Sequence, residues 1–427
     1  MLLVAQMRAT QQELEAIDLR RRLLFPPPSS GSEQPPIEVV QAFLEVHPSA
    51  VIFDITVSRW GTVIFLAGGR GAGEFAGLKI EILPLKGSAV RRWVSQWSLA
   101  YIGYLTAKGP ERQDARVRWA EQTDALLGEL RASLMEPCLN ALHDPNLELI
   151  ISAGRLAGLP LHAVPIAEGR SAIESVGACT YLPNIAVLAP SESKSEQPGS
   201  ALFVVSDLEA DLAAAAKECE AAAQQLKRGG TDVTLLAQIG RKSGIEALNL
   251  RGIKAAEGIK VLQDAPTPTF VSKLLPKTDH FFYSGHGVRR PGESGLVLVG
   301  DDGKSNLLSE EDILSMYTLR QRPLVILSAC ETAMGGHGSS ELFDVASCFL
   351  RVGARFVVGS LWVVVENCAT IFTAEFYKKL TQGESPGHAF GAAVRTLKQM
   401  RYSESSVGAV PPDHPIYWAP FMALRGE

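Results

Sequence analysis

The first apolar positions of the chain follow the pattern of a β-hairpin. Two short runs of mainly β-branched and other apolar residues, at 51–57 and 62–66, flank a turn that contains Gly61. A third run, at 78–83, extends the pattern. These runs predict a small unit of three strands.

The spacing of apolar residues becomes helical at Ser88. Val90 and four aromatic residues then recur at steps of three and four positions, namely Trp93, Trp97, Tyr101 and Tyr104. This spacing predicts a helix whose aromatic stripe belongs to the core rather than to a base-stacking surface. A second helix is predicted from Arg112 to about Met135, before Pro137.

Short apolar runs alternate with helical stretches through the rest of the chain. Strands are predicted at 147–152, 201–206, 233–236, 280–283, 296–299, 324–327 and 355–358. Helices are predicted at 207–228, 267–275, 341–351, 367–380 and 385–400. This alternation is typical of an α/β fold with a mainly parallel sheet and helices on both faces.

The chain before the hairpin predicts a helix at 7–25 and a linker rich in Pro, Ser and Gly at 26–32. The helix could be a docking element or the stub of a larger N-terminal module. The first residues lack the basic start and the long apolar stretch of a signal peptide, so no signal peptide is expected.

Composition narrows the class of protein. The 427 residues are 46% hydrophobic and 20% charged, as in a globular protein with a substantial core. The net charge of −5 argues against a general nucleic-acid binder, which would need a basic face. No apolar run is long enough for a membrane span. We therefore expect a cytoplasmic protein that binds neither nucleic acid directly nor a membrane.

The six cysteines are scattered, without a CxxC pair or metal-ligand spacing: Cys138, Cys179, Cys219, Cys330, Cys348 and Cys368. A chain of this length does not need disulfides, and a reducing compartment fits better. Five of the six are expected to be buried apolar residues. Gly71–Ala76 and Gly303–Ser305 lack the context of a dinucleotide or phosphate loop. We therefore expect no cofactor and no metal.

Two predicted strands each end in a reactive side chain. Residues 281–287 read Phe-Phe-Tyr-Ser-Gly-His-Gly, which places His286 just after the first strand. Residues 324–332 contain Ser-Ala-Cys-Glu-Thr, which places Cys330 just after the second. In open parallel sheets, active groups gather beyond the carboxyl ends of strands. If the two strands are neighbours, His286 and Cys330 lie at one edge of the sheet.

A histidine beside a cysteine is suited to nucleophilic catalysis. The imidazole can take the proton of the thiol and later protonate a leaving amine. Gly285 and Gly287 would leave space for a substrate backbone, and the N–H groups of Cys330 and Gly287 could form an oxyanion hole. The alternative is a structural thiol and a turn histidine, and for these residues alone the two interpretations are close to balanced.

Several further motifs make the sequence resemble the CHAT family of caspase-like peptidases, which is related to separase and the caspases. The Ser-Gly-His-Gly and Ser-Ala-Cys-Glu-Thr segments are followed by Gly-Ser-Leu-Trp at 359–362, Phe-Tyr at 376–377 with Gly-Glu-Ser at 383–385, and His-Pro-Ile-Tyr-Trp-Ala-Pro-Phe at 414–421. An upstream stretch, 151–161, is also similar to the family. The resemblance covers roughly residues 36–427.

The resemblance implies roles for single residues. His286 would be the general base and Cys330 the nucleophile. Acids often follow the family's tryptophan, and here only Glu366 remains in that stretch. It is a candidate for binding a basic P1 side chain, with a solvated helix-start carboxylate as the alternative. Glu331 is a second candidate. Ser284, Asp279 or a backbone carbonyl could orient His286.

The resemblance also implies an organisation and a biological context. We expect an N-terminal helix and linker at 1–35, a non-catalytic caspase-like half at 36–190 and a catalytic half at 200–427. Apart from the resemblance, the Gly-rich composition of 335–340 favours a mobile loop beside the site, with a plain connection as the alternative. An upstream sensor or activator, on another chain or module, would switch on cleavage of a protein substrate.

Three functions remain open at this point. The first is a regulated endopeptidase, for which the family implies bacterial defence or regulated cell death. Its substrate would be a gasdermin-like pore former or a CRISPR-associated protein. The second is a catalytically silent scaffold, which would not need both His286 and Cys330. The third is another thiol chemistry on a small molecule, for which a cofactor or phosphate loop would be expected.

Overall fold

The protein is described by a computed structural model. It covers residues 36–426 except for 140–141, 157, 167–168, 184, 186–187, 189–198, 291–292, 317, 334–343 and 400–409. The predicted helix at 7–25, the linker at 26–32 and the Gly-rich run at 335–340 lie outside the described residues. Among the helices that are described, none is long and apolar enough to cross a bilayer.

The described residues of the N-terminal part form five strands. They are β1 (Ala50–Val57), β2 (Thr62–Gly68), β3 (Gly77–Leu83), β4 (Glu148–Ser152) and β5 (Ala178–Leu182). The helices are α1 (Pro36–Val46), α2 (Gly87–Thr106), α3 (Glu111–Leu130), α4 (Glu136–Leu139) and α5 (Ala172–Ser175). The predicted hairpin and third strand are present, and β5 is an additional strand that the apolar pattern did not indicate.

The C-terminal part carries the larger share of the strands. These are β6 (Ser200–Asp207), β7 (Asp232–Ile239), β8 (Lys242–Ser243), β9 (Lys260–Val261), β10 (His280–Gly285), β11 (Gly287–Arg290), β12 (Glu293–Val299), β13 (Ser305–Ser309), β14 (Leu324–Ser328), β15 (Phe356–Ser360) and β16 (Phe421–Arg425). The helices are α6 (Ala215–Arg228), α7 (Gly244–Leu250), α8 (Pro268–Leu274), α9 (Glu310–Ser315), α10 (Val345–Arg351), α11 (Glu366–Thr381), α12 (Pro386–Gln399) and α13 (Pro415–Trp418).

One large sheet runs through both parts of the chain. Its order in the described residues is β3-β2-β1-β4-β5-β16-β15-β14-β10-β6-β7-β8, with β9 beside β7. Strands β11, β12 and β13 form a separate small sheet. The predicted α/β architecture with a mainly parallel sheet is therefore confirmed. The division into 36–190 and 200–427 stays a prediction.

Strand β16 reverses the direction of the sheet. It is antiparallel to β15 and parallel to β5. The parallel strands of the N-terminal part (β1, β4 and β5) consequently run opposite to those of the C-terminal part (β6, β7, β10, β14 and β15). The carboxyl ends of the two sets lie at opposite edges of the same sheet.

The core explains why several predicted motifs are apolar. Strands β10 and β14 are buried along almost their whole length, as expected of strands covered on both faces. Trp97, Trp362 and Trp418 are among the largest fully buried side chains. The aromatic stripe of α2 is buried, as its spacing predicts.

Helix α6 begins later than its composition suggests. A helix was predicted from Asp207, whereas α6 spans Ala215–Arg228. The carboxylate of Asp207 accepts hydrogen bonds from the backbone N–H groups of Asp211 and Leu212. These side-chain-to-backbone bonds stabilise a turn in place of the first helical residues.

Candidate active site

The two strands that end in His286 and Cys330 are direct neighbours. Strands β10 and β14 pair in parallel, and Ser284 lies opposite Ser328 at their carboxyl ends. His286 follows Ser284 by two positions, as Cys330 follows Ser328. Both side chains therefore leave the sheet at the same edge, as the sequence indicated.

The turn that carries Cys330 is bound to the end of β15. The hydroxyl of Ser360 donates to the carbonyl of Ala329 at 2.7 Å. The Ser360 N–H donates to the Thr332 hydroxyl at 3.0 Å, and the Ala333 N–H donates to the Ser360 carbonyl at 2.9 Å. Ser360, from the Gly-Ser-Leu-Trp motif, thus fixes the backbone on both sides of the thiol.

The glycines around His286 allow close approach of the protein's own backbone. A methyl group on Gly287 would lie 2.4 Å from the carbonyl oxygen of Cys330. One on Gly285 would lie 2.4 Å from the Tyr283 hydroxyl oxygen and 2.6 Å from the Ser206 carbonyl oxygen. A larger residue at position 287 would push the histidine loop away from the cysteine turn, and one at position 285 would displace the histidine loop from the end of β6.

The imidazole of His286 contacts an acid from the neighbouring strand end. Its Nε2 atom lies 2.9 Å from Oδ1 of Asp211, in the loop that follows β6. An N–H at Nε2 donates to this carboxylate, which leaves Nδ1 available to accept a proton. The hydrogen bond from His286 lowers the pKa of Asp211, so the carboxylate is ionised at neutral pH.

The backbone of Asp211 is hydrogen-bonded to a buried acid, Asp207. Asp207 is 1% exposed and accepts from the Asp211 N–H at 3.0 Å. Its other oxygen forms a 2.7 Å salt bridge with Arg251. Asp207, Asp211 and His286 present ligand atoms within 4.8 Å of one another, as a cation site would. Because Arg251 and backbone N–H groups already bind Asp207, hydrogen bonding is the favoured role of this cluster.

The thiol of Cys330 is only partly accessible. Burial raises the pKa of this thiol above its usual range, while a hydrogen bond from the Val364 N–H to the sulfur acts in the opposite direction. The thiol is therefore protonated at neutral pH in this state. A base is needed to generate the nucleophilic thiolate.

A pocket of about 60 Å³ opens beside the thiol. Cys330, Glu218 and Glu366 are among its lining residues. Glu366 is the first residue of α11, is partly buried, and accepts from the Ala214 N–H at 3.3 Å. The structure thus brings Glu366 and Cys330 to the same pocket, while the described pocket lining does not include Glu331.

Glu218 lies at the buried side of this pocket. Its carboxyl group contacts the hydroxyls of Thr373 at 2.5 Å and Ser284 at 3.4 Å. It is 4% exposed, and burial raises its pKa to about 7. The pocket therefore contains one half-buried carboxylate and one buried carboxyl group that titrates near neutral pH.

Sequence reasoning did not single out Asp211 or Glu218, although each carries a signal. Asp211 follows a predicted strand, which is where active groups collect. Glu218 interrupts the apolar stripe of α6 between Ala215 and Ala222. A charged residue on the apolar face of a helix is rarely buried without partners. Of the residues considered as partners of His286, Ser284 contacts Glu218, and Asp279 accepts from Ser200.

A family model agrees with this fold and strand-end geometry. The model named CHAT domain matches residues 124–426, which is more than half of the chain. The chain belongs to the CHAT domain family. This membership confirms the resemblance found in the motifs and, with the caspase-like fold, supports a cysteine peptidase.

Two kinds of solved structure are similar to the chain at low sequence identity, and the first, with a TM-score above 0.5, shows the same fold. The separase of the Saccharomyces cerevisiae separase–securin complex is similar with a TM-score of 0.58 and 10% identity, over 91% of this chain and 31% of that chain. The Arg-specific cysteine proteinase gingipain R is similar with a TM-score of 0.42 and 12% identity, over 72% of this chain and 67% of that chain.

One curated relative shares a shorter segment. Tetratricopeptide repeat protein 28 of Mus musculus is 26% identical over 121 residues, which is 28% of this chain and 4% of the mouse protein. The CHAT chain thus spans a small part of the mouse protein and about a third of the yeast separase.

Proposed function

We propose that this CHAT protein is an endopeptidase that cleaves a protein partner through Cys330 and His286. The observation that carries the proposal is the parallel pairing of β10 and β14, whose carboxyl ends place the two residues at one edge. The contact between Gly287 and the carbonyl of Cys330 supports it, because it joins the two loops directly.

The proposed reaction proceeds through a thioester. Nδ1 of His286 takes the proton of the Cys330 thiol as the sulfur attacks the scissile carbonyl carbon. The carbon–nitrogen bond then breaks, and the imidazolium returns the proton to the leaving amine. Water, deprotonated by the same imidazole, hydrolyses the thioester and restores the thiol. Asp211 would stabilise the imidazolium, and the N–H groups of Gly287 and Cys330 would bind the oxyanion.

The acids of the pocket favour a basic P1 side chain. Glu366 and Glu218 line the pocket beside Cys330, and neither has a lysine or arginine partner among the described salt bridges. A lysine or arginine head group would pair with them through charge-assisted hydrogen bonds. Glu331 is the weaker candidate for this role, because its carboxylate accepts from Tyr101.

The narrow pocket supports control by an upstream activator. Its volume is about 60 Å³. We expect the pocket to widen when a lysine or arginine side chain enters, and binding of a sensor chain or module would favour the wider form. We propose that the reaction takes place in the cytoplasm, a reducing compartment that fits the six described cysteines, which form no disulfide. Its biological context would be bacterial defence or regulated cell death. A gasdermin-like pore former or a CRISPR-associated protein would be the substrate or partner.

A peptide-library cleavage assay tests the proposal. We expect Cys330→Ala and His286→Ala to abolish cleavage, a loss of at least about a hundredfold. Cys138→Ala, in α4, and His143→Ala, at an exposed position, are matched controls that retain it. Cleavage that survives Cys330→Ala would contradict the mechanism. Partner binding without any cleavage by the wild-type protein would favour the silent scaffold.

A further inference from the structure

A tyrosine from the N-terminal part of the chain contacts both segments that flank the Cys330 thiol. The hydroxyl of Tyr101, in α2, donates to the carboxylate of Glu331 at 2.8 Å. The same oxygen accepts from the backbone N–H of Val363 at 2.9 Å. Burial and the nearby Glu331 carboxylate raise the pKa of Tyr101, so its hydroxyl keeps the proton that it donates.

The first of these contacts holds a strained residue. Glu331 directly follows Cys330 and has a φ of 58°, one of three positive values among the described non-glycine residues. This left-handed conformation is strained for a residue with a side chain. Such strain persists where surrounding contacts impose it. Tyr101 supplies a contact of this kind on the Glu331 side chain.

The second contact supports a donor to the thiol. Val363 precedes Val364, which lines the same pocket as Cys330. The Val364 N–H lowers the pKa of the thiol by hydrogen bonding, against the larger effect of burial. A hydrogen bond from a fixed backbone donor stabilises the thiolate over the thiol. By binding the N–H of Val363, the hydroxyl of Tyr101 fixes the position of the Val364 N–H relative to the sulfur.

Tyr101 is rigid enough to act in this way. It is 4% exposed and packs between two tryptophans, with ring centroids 5.7 Å from Trp97 and 5.1 Å from Trp119. Both tryptophans also contact Trp362, in the segment that leads to Val363. Helices α2 and α3, in the half predicted to be non-catalytic, therefore extend an aromatic cluster to the cysteine turn.

We propose that Tyr101 is a positioning residue, which holds the Cys330 turn and the Val363–Val364 segment together and so keeps the Val364 backbone beside the thiol. The consequence for catalysis rests on the proposed function, whereas the effect on the reactivity of the thiol is independent of it. It makes the N-terminal part a structural component of the site, although none of its described residues lines the pocket beside the thiol.

The Tyr101→Phe variant tests the proposal because it removes the hydroxyl and keeps the ring. The rate of Cys330 alkylation by iodoacetamide is measured against pH, with the modified residue identified by peptide mass. The midpoint of this profile should move to higher pH, because the thiolate loses its fixed donor. Other titratable groups surround Cys330 in wild type and variant alike. Glu218 and Glu366 line its pocket, the Glu331 charge acts on the thiol, and His286 follows the neighbouring strand.

Tyr104→Phe is the matched control. Tyr104 lies on the same helix and stacks on Trp119 with ring centroids 5.0 Å apart. Its alkylation profile should match that of the wild type. Thermal unfolding of both variants, followed by circular dichroism, shows whether the aromatic cluster is preserved.

Cleavage kinetics provide a second readout once a substrate is known. Tyr101→Phe should lower kcat roughly tenfold with little change in KM, since the lost hydrogen bonds position the nucleophile rather than the substrate. An unchanged or downward-shifted alkylation profile in a folded variant would overturn the proposal. An upward shift in a protein that cleaves no peptide would refute only the peptidase function.

Discussion

Two strand ends of this CHAT protein have almost the same sequence and different surroundings. Strand β4 continues as Leu-Ile-Ile-Ser-Ala-Gly at 149–154, and β14 as Val-Ile-Leu-Ser-Ala-Cys at 325–330. The first ends at a glycine with a φ of 48°, and the second at the proposed nucleophile. The local pattern that builds a buried strand and a tight exit is thus common to both.

The two strand ends lie at opposite edges of the sheet. Since β16 reverses the strand direction, residue 154 is remote from the edge that carries Cys330. Ser152 and Ala153 are buried and pack within the N-terminal part. At the other edge, Asp211, Glu218 and Ser360 surround the exit from β10 and β14. The buried strand thus determines where the residue after it lies, and the side chains of neighbouring elements determine which reactive groups surround that residue.

The difference between the two strand ends can be tested by variants, and the largest expected effect is a fall in kcat when Asp211 is replaced. The Asp211→Asn variant should lower kcat roughly tenfold to a hundredfold, since the imidazolium loses its carboxylate partner. The measurement is kcat and kcat/KM against pH, with Asp301→Asn, at an exposed turn, as control. Unchanged kinetics would reduce the His286 contact to a surface ion pair. Loss of wild-type activity on addition of EDTA would favour a cation at this cluster.

A smaller effect is expected on specificity. The Glu366→Gln variant should lower kcat/KM for lysine or arginine at P1 roughly tenfold relative to an uncharged P1 residue, because a charge-assisted contact is lost. Glu375→Gln, on the same helix and ion-paired to Lys378, is the matched control. Competition between paired peptides measures the ratio directly. If the P1 preference is the same in both variants, Glu366 is only a helix-start carboxylate.

The smallest effect is on stability. The folded-state pKa of Glu218 is raised to about 7 from 4.5 by burial. Between these values the unfolded chain releases the proton while the folded protein keeps it, so the free energy of unfolding falls as pH rises. The Glu218→Gln variant should remove this loss, a gain on the order of 1–3 kcal/mol at pH 8 relative to pH 5.

Denaturant unfolding at the two pH values measures this gain. Asp344, whose pKa burial also raises to about 7, remains in the variant and accounts for residual pH dependence of the same sign. Equal pH dependence in wild type and Glu218→Gln would mean that Glu218 is not the buried acid that destabilises the folded protein as the pH rises.

Much of the fold could be predicted because its strands are continuous apolar runs with clear ends. The predicted strands at 280–283 and 324–327 lie within β10 and β14. Strands β5 and β16 were missed, and only Phe421, the first residue of β16, belonged to the C-terminal motif. Their pairing depends on partners far apart in the chain, which local periodicity does not contain.

The sequence was sufficient to indicate the family, the strand-end placement of His286 and Cys330, and the burial of the aromatic stripe. Each of these depends on residue types and short spacings. The contacts of Asp211, Glu218 and Tyr101 with the site depend on which elements the sheet order and helix packing bring together. Tyr101 is 230 positions from Glu331 in the chain. Contacts of that range are set by the packing of the whole domain, and no local pattern encodes them.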